Sequence, residues 1–141
     1  MEAEMYMRHE AIRSEIYKLL AECYYPPDKI LFDKIIPLDK KFKLVCLQNI
    51  KWSGKNILKA DSIEDLTVEH ARLFVGPYTL LAPPYGSVYM EPERRIMGNS
   101  TMDVVKRYQQ SGLDMAEDFK DAPDHIAAEL EFMHFLIYKE I

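Results

Sequence analysis

Residues 121–137 read DAPDHIAAELEFMHFLI. Within this stretch, apolar side chains recur with the 3.6-residue period of an α-helix, at Ile126, Leu130, Met133 and Ile137. We expect Asp121 to cap this helix and Pro123 to lie in its first turn, where a missing N–H does no harm. The stretch therefore predicts an amphipathic helix, and the rest of the chain decides what packs against it.

Helical periodicity also runs through the N-terminal half of the chain. Apolar residues between positions 5 and 24 follow the same period, and Pro26 and Pro27 end that helix. A shorter helix is predicted at residues 29–36, before Pro37. Another is predicted around an apolar group formed by Phe42, Val45, Cys46 and Ile50.

Two capping signatures locate further helices. Ser62 stands three residues before Asp65, which is the spacing of a capping box, and Gly76 ends the helix that follows. Ser100 and Asp103 repeat the spacing, and Gly112 is placed to adopt a left-handed conformation after the last turn. No stretch shows sustained period-two alternation. The sequence therefore predicts an all-α fold, with a single helical bundle domain over residues 1–141.

Two segments depart from a simple bundle. Residues 76–98 read GPYTLLAPPYGSVYMEPERRIMG, a Pro- and Tyr-rich connection far longer than the roughly two to eight residues usual between bundle helices. Loops of this length are commonly functional. The last helix reaches Ile141 without a stop signal, and we expect missing C-terminal helices or a second chain to cover its apolar residues, Phe132, Phe135, Leu136, Ile137 and Ile141.

Composition narrows the classes of function. The 141 residues include 18 Lys+Arg and 23 Asp+Glu, so a net charge of −5 gives no general attraction for nucleic acid. No apolar run approaches a bilayer span or a signal peptide, and we expect a cytoplasmic protein. The two cysteines form no metal or redox motif, and both common phosphate-loop patterns are absent. No cofactor is expected.

A catalytic site would need convergent acids and bases. Asp124, His125 and Glu129 are the nearest candidates, because His125 and Glu129 are four residues apart on one helical face. His134 would point to the opposite side of that helix. A metal-dependent hydrolase built on these three residues is therefore a minority hypothesis.

Three segments read HARLFVGP from His70, APPYGSVY from Ala82 and APDHIAAELEFM from Ala122. Together they resemble the TorD/DmsD family of cytoplasmic chaperones, which mature molybdenum-containing redox enzymes. The resemblance covers residues 66–137 and implies an all-helical protein without catalytic activity. It further implies binding of the twin-arginine signal peptide of a reductase precursor until the cofactor of that enzyme is loaded.

The resemblance also implies which residues contact the peptide. Carried over by position, these are Leu73, Phe74, Pro84, Tyr85, Tyr89, Asp124 and His125. The apolar part of the signal would meet Leu73, Phe74, Tyr85 and Tyr89. Its arginines would meet Asp124, joined by Glu129 or Asp121, through charge-assisted hydrogen bonds.

A third hypothesis is a helical adaptor without a peptide site. In that case the apolar last helix would be an oligomer seam through Phe135 and Ile137. The resemblance adds a related expectation, which is a homodimer formed through exchanged or exposed helices.

Overall fold

The computed structural model describes residues 2–35, 62–77 and 80–141. Within these ranges, no strand occurs and the predicted all-α fold is confirmed. The helices are α1 (Glu2–Glu22), α2 (Lys29–Ile35), α3 (Ile63–His70), α4 (Gly86–Met90), α5 (Asn99–Gln110) and α6 (Ile126–Glu140), and a π-helical turn (Ala71–Val75) continues α3. The helix predicted around Phe42 lies outside the described residues.

The long helices α1 and α6 pack against each other. Small buried residues allow this approach, since Ala21 of α1 and Ala127 of α6 are both fully buried. A polar contact joins the same two helices, with Oγ of Ser14 2.7 Å from Nδ1 of His134. This helix pair therefore contributes part of the buried core, and Val88 and Tyr108 add to that core from other helices.

Two of the predicted helix boundaries are confirmed in detail. Ser62 caps α3, because its Oγ accepts a hydrogen bond from the Asp65 N–H at 3.2 Å. Gly112 follows α5 with φ of 80°, a left-handed conformation that favours glycine. Local sequence sufficed at these positions because the capping groups lie within a few residues of the helix ends.

Two other predicted caps are wrong. The cap of α5 is Gly98 instead of Ser100, which lies inside the first turn. The cap of α6 is His125, whose Nδ1 accepts a hydrogen bond from the Ala127 N–H at 3.1 Å. Asp121 and Pro123 precede this helix, because the His125 N–H donates to the Ala122 carbonyl at 2.9 Å and forms a turn there.

The long connection and the last helix also differ from expectation. Residues 76–98 include the short helix α4, which has too few residues to show a helical period in the sequence. On α6, Ile137 is only 2% exposed, and Phe132 packs its ring edge-on against Tyr108 with centroids 4.9 Å apart. Helices of this chain therefore cover both residues. In the described ranges, no helix is long and apolar enough to cross a bilayer.

Candidate functional site

The segment before α4 pairs with the segment before α6. Tyr85 and His125 form an isolated antiparallel bridge. On either side of the bridge, the Gly86 N–H donates to the Asp124 carbonyl at 3.0 Å and the Ile126 N–H donates to the Pro84 carbonyl at 2.8 Å. These main-chain hydrogen bonds fix the proline-rich connection against the start of α6.

Asp124 is the central polar residue of this junction. Its side chain is 1% exposed, and Oδ2 accepts a 2.6 Å hydrogen bond from the Ser87 N–H in the first turn of α4. The other oxygen, Oδ1, is also buried and has no hydrogen-bond partner among the described residues. A buried oxygen without a partner is unfavourable, so Oδ1 has an unused capacity to accept a hydrogen bond.

A cavity of about 240 Å³ opens beside Asp124. It is smaller than the roughly 300 to 1,000 Å³ of typical small-molecule pockets, so it suits one or two side chains of a longer ligand. Aromatic, proline and aliphatic residues form most of its wall, and two carboxylates join them. The lining comprises Tyr24, Phe74, Ala82, Pro83, Pro84, Tyr85, Gly86, Tyr89, Asp124, Ile126 and Glu129.

The aromatic wall is held by contacts with its surroundings. Phe74 packs against Tyr24 with ring centroids 5.4 Å apart and edge-on against His70 at 5.0 Å. The Tyr89 hydroxyl donates to the Pro83 carbonyl at 3.0 Å, although 64% of the Tyr89 residue is exposed. Much of Tyr89 is therefore accessible to a ligand.

His125 lies outside the cavity lining and packs against its aromatic wall. Its ring stacks on Tyr25 at 6.2 Å and meets Tyr85 edge-on at 5.3 Å. Burial lowers the pKa of His125, and the nearby carboxylates of Asp121 and Asp124 oppose this effect. The Tyr85 hydroxyl donates to Oδ1 of Asp121 at 2.9 Å, and burial together with this contact raises the pKa of Tyr85 to about 12. Both rings are thus fixed and uncharged near neutral pH.

Glu129 is the second carboxylate of the cavity. Its Oε1 lies 3.4 Å from the position that a Cβ atom on Gly86 would occupy. Burial raises the pKa of Glu129, and the charge of Asp124 adds to the effect. Among the ion pairs formed within the described ranges, none involves Asp121, Asp124 or Glu129. The cavity is therefore suited to a cationic group.

The structure brings together most of the residues expected to contact a peptide. Phe74, Pro84, Tyr85, Tyr89 and Asp124 line the cavity, whereas Leu73 and His125 lie outside it. The Leu73 carbonyl accepts a hydrogen bond from the Ala82 N–H at 3.0 Å, which ties the proline-rich connection to the middle of the π-helical turn. The sequence analysis did not predict Tyr24 as a lining residue. The pair of adjacent tyrosines, Tyr24 and Tyr25, directly before Pro26 was the feature that could have indicated it.

The arrangement offers little support for metal chemistry. In residues 2–35, 62–77 and 80–141, no three His, Cys, Asp or Glu side chains are grouped so that they could hold a metal ion. Nδ1 of His125 is occupied by the Ala127 N–H, and its ring lies between Tyr25 and Tyr85. Asp124, His125 and Glu129 thus do not converge on one point.

The family described as nitrate reductase delta subunit matches residues 43–141. The chain belongs to this family. Among curated relatives, it is 34% identical over 72 residues to the Tat proofreading chaperone DmsD of Salmonella typhi, covering 51% of the chain and 35% of that relative. It is 32% identical over 89 residues to the chaperone protein TorD of Ferrimonas balearica, covering 63% of the chain and 41% of that relative. The predicted resemblance to the TorD/DmsD family is therefore confirmed.

A solved structure supports the same relationship. A candidate redox enzyme maturation protein from Archaeoglobus fulgidus superimposes with a TM-score of 0.66 at 28% identity. The match covers 88% of this chain and 70% of that protein. The matched part spans only about a third to two fifths of the length of the two curated relatives.

Proposed function

We propose that this protein is a cytoplasmic chaperone without catalytic activity. It binds the twin-arginine signal peptide of a molybdenum-containing redox enzyme subunit and assists the maturation and cofactor loading of that subunit before export. The names of the DmsD and TorD relatives support this role, as does the kinship with the redox enzyme maturation protein.

The observation that carries the proposal is the unpartnered Oδ1 of Asp124, a residue that lines a small and largely aromatic cavity. An arginine side chain is long, partly apolar and forked, so its stem would lie along the aromatic wall while its guanidinium reaches the carboxylate. A charge-assisted hydrogen bond forms more strongly in such a buried place than at an exposed surface. Glu129 adds a second acceptor beside the first.

The other predicted contact residues divide into two groups. Phe74, Tyr85 and Tyr89 would receive the apolar part of the signal peptide, and Pro84 stiffens the backbone between them. Leu73 and His125 would act from outside the cavity, since Leu73 anchors Ala82 and His125 holds the Tyr85 ring. Aromatic residues of this kind supply contact area at a small loss of conformational entropy.

Isothermal titration tests the proposal. The full chain is titrated with a synthetic peptide that has two adjacent arginines and about twelve apolar residues after them. A matched peptide has both arginines replaced by lysine. We expect micromolar or tighter binding of the first peptide and about tenfold weaker binding of the second, because lysine lacks the planar fork.

A charge-matched pair of variants locates the binding site. Asp124→Asn should weaken binding of the arginine peptide, whereas Asp118→Asn removes the same charge from an exposed residue outside the cavity lining. Equal affinity for both peptides, or equal effects of both variants, would show that the cavity does not recognise arginine.

Self-association is a separate proposal. Two copies could associate through exchanged or exposed helices, as the family resemblance implies. The adaptor hypothesis placed an oligomer seam at Phe135 and Ile137, but Ile137 is buried within this chain. Phe135, which is half-buried, is the remaining residue of that seam. Light scattering on the parent and on Phe135→Ser tests this contact, and a monomeric parent would rule it out.

A further inference from the structure

Glu91 connects the short helix α4 to the helix α5 that follows it in the chain. It is the first residue after α4, and its side chain reaches the first turn of α5. There, Oε1 accepts hydrogen bonds from the Ser100 N–H at 2.9 Å and from the Ser100 hydroxyl at 2.8 Å. These hydrogen bonds lower the pKa of Glu91 and favour the ionised carboxylate.

Gly98 provides the space for this contact. A Cβ atom at Gly98 would overlap Cδ and Oε1 of Glu91. The φ of Gly98 is −108°, which other residues also adopt, so the need for glycine here is spatial. Alanine at this position would therefore displace the carboxylate of Glu91 without removing it.

The helix α4 depends on such external contacts. It has five residues, and an isolated helix of this length is unstable in water. Asp124 holds its first turn through the Ser87 N–H, and the Ser87 Oγ accepts a hydrogen bond from the Met97 N–H at 3.2 Å. Glu91 holds the opposite end through Ser100.

The turn between α4 and α5 also needs to be held. Arg94 has φ of 51° and Met97 has φ of 66°, conformations that are unfavourable for residues other than glycine. Because surrounding contacts must maintain them, the Glu91–Ser100 hydrogen bonds and the Met97–Ser87 hydrogen bond form one connected support. That support ends at the carboxylate of Asp124.

We propose that Glu91 is a positioning residue for the cavity, acting through α4 to hold Tyr89 and the Ser87 N–H in place. The inference rests on the proposed function for its effect on peptide binding. It does not require Glu91 to touch the peptide. Glu91 is absent from the cavity lining, whereas Tyr89 and Asp124 belong to it.

Four variants test this role by titration with the twin-arginine peptide described above. Glu91→Ala and Gly98→Ala should each lower affinity about five- to tenfold, because each removes the hydrogen bonds to Ser100. Glu91→Gln keeps an acceptor oxygen and should stay within about threefold of the parent. The double variant Glu91→Ala/Gly98→Ala should bind like Glu91→Ala alone, since the new methyl group then has no carboxylate to displace.

A second measurement separates this role from the proposed function. Hydrogen exchange of the Ser87 amide, followed by NMR, reports the contact with Asp124 without any peptide. We expect faster exchange in Glu91→Ala and Gly98→Ala, and exchange close to that of the parent in Glu91→Gln. Circular dichroism at the same temperature confirms that each variant is folded.

The outcomes are distinct. If the parent binds no twin-arginine peptide, the proposed function fails, and faster Ser87 exchange in Glu91→Ala would still support the link from Glu91 to Asp124. If the parent binds but Glu91→Ala changes neither affinity nor Ser87 exchange, the positioning role is wrong and the proposed function stands. The role would also be wrong if the loss of affinity in the double variant equalled the sum, in free energy, of the losses in the two single variants.

Discussion

The helix α6 makes two very different contacts, one along its body and one at its start. Along its body it packs against α1, with buried Ala127 and Ile137 and the contact between Ser14 and His134. At its start, residues 121–126 hold the proline-rich connection by main-chain hydrogen bonds and by the carboxylate of Asp124. We therefore expect substitutions in the body of this helix to affect stability and substitutions at its start to affect ligand binding.

The difference follows from what each contact buries. The helix pair buries apolar and small side chains, which favours folding directly. The cavity buries a carboxylate oxygen without a partner and raises the pKa of a second carboxyl, Glu129. Both features disfavour the empty folded state, and a cationic ligand would relieve them. Substitutions in the two regions should accordingly affect different measurements.

The largest expected effect is on stability, from the body of α6. Ile137→Ala removes a side chain that is 2% exposed, so we expect the free energy of unfolding to fall by about 2 to 4 kcal/mol. Urea unfolding measures this change. Peptide affinity of the folded fraction should be unchanged. A large loss of affinity at full folding would contradict the separation between the two regions.

The next effect is on binding, from the exposed face of the cavity. Tyr89→Ala should weaken peptide binding about tenfold, because it removes an aromatic surface that is free to contact the ligand. The free energy of unfolding should change by less than about 0.5 kcal/mol, as expected for an exposed residue. Tyr89→Phe serves as the control, since it keeps the ring and loses only the hydrogen bond to Pro83. Equal losses of peptide affinity in Tyr89→Ala and Tyr89→Phe would assign the effect to the hydroxyl group instead of the ring.

A smaller effect on stability is expected from the polar contact of the helix pair. Ser14→Ala removes the hydroxyl beside His134, and we expect destabilisation of about 1 kcal/mol, the usual value for one buried hydrogen bond. Thermal unfolding of the parent and the variant gives the difference. Peptide titration of the variant should match the parent, and a change there would link the helix pair to the cavity.

The smallest effect is a pH dependence that arises from Glu129. Its pKa is raised above the ordinary value of 4.5, chiefly by burial. The protonated carboxyl therefore contributes stability below that ordinary value, and this contribution is lost as pH rises through the raised pKa. Binding of a guanidinium should instead strengthen as pH rises, because the guanidinium pairs with the ionised carboxylate. We expect weaker peptide binding at about pH 5 than at neutral pH.

A matched variant checks this assignment. Glu129→Gln has no titratable carboxyl, and it should remove most of the pH dependence between those two conditions. Titrations of the parent and the variant at both pH values provide the comparison. A dependence that persists in Glu129→Gln would assign the titration to another group.

The sequence predicted the helix pair better than the cavity, for physical reasons. The period of apolar residues in α1 and α6 is a local signal, and the Ser62 cap and the left-handed Gly112 depend on neighbours in the chain. The cavity depends on contacts between distant positions, such as Asp124 with Ser87. Local rules therefore placed a cap at Asp121 and missed the role of His125.

The contact residues became visible mainly through the family resemblance. That resemblance named five of the residues that line the cavity, but it could not show that Leu73 and His125 lie outside it. The short helix α4 was also missed, because its five residues are held by Asp124 at one end and Glu91 at the other. A helix maintained by distant side chains has no signature in its own sequence.

A double-mutant cycle between Asp124 and the peptide arginines tests the central claim most directly. Titrations combine the parent and Asp124→Asn with the arginine and lysine peptides. The asparagine keeps an acceptor for the Ser87 N–H, so α4 should remain in place. We predict that lysine costs about tenfold in affinity with the parent and less than about twofold with Asp124→Asn. Equal costs with both proteins would show that Asp124 does not meet the arginines.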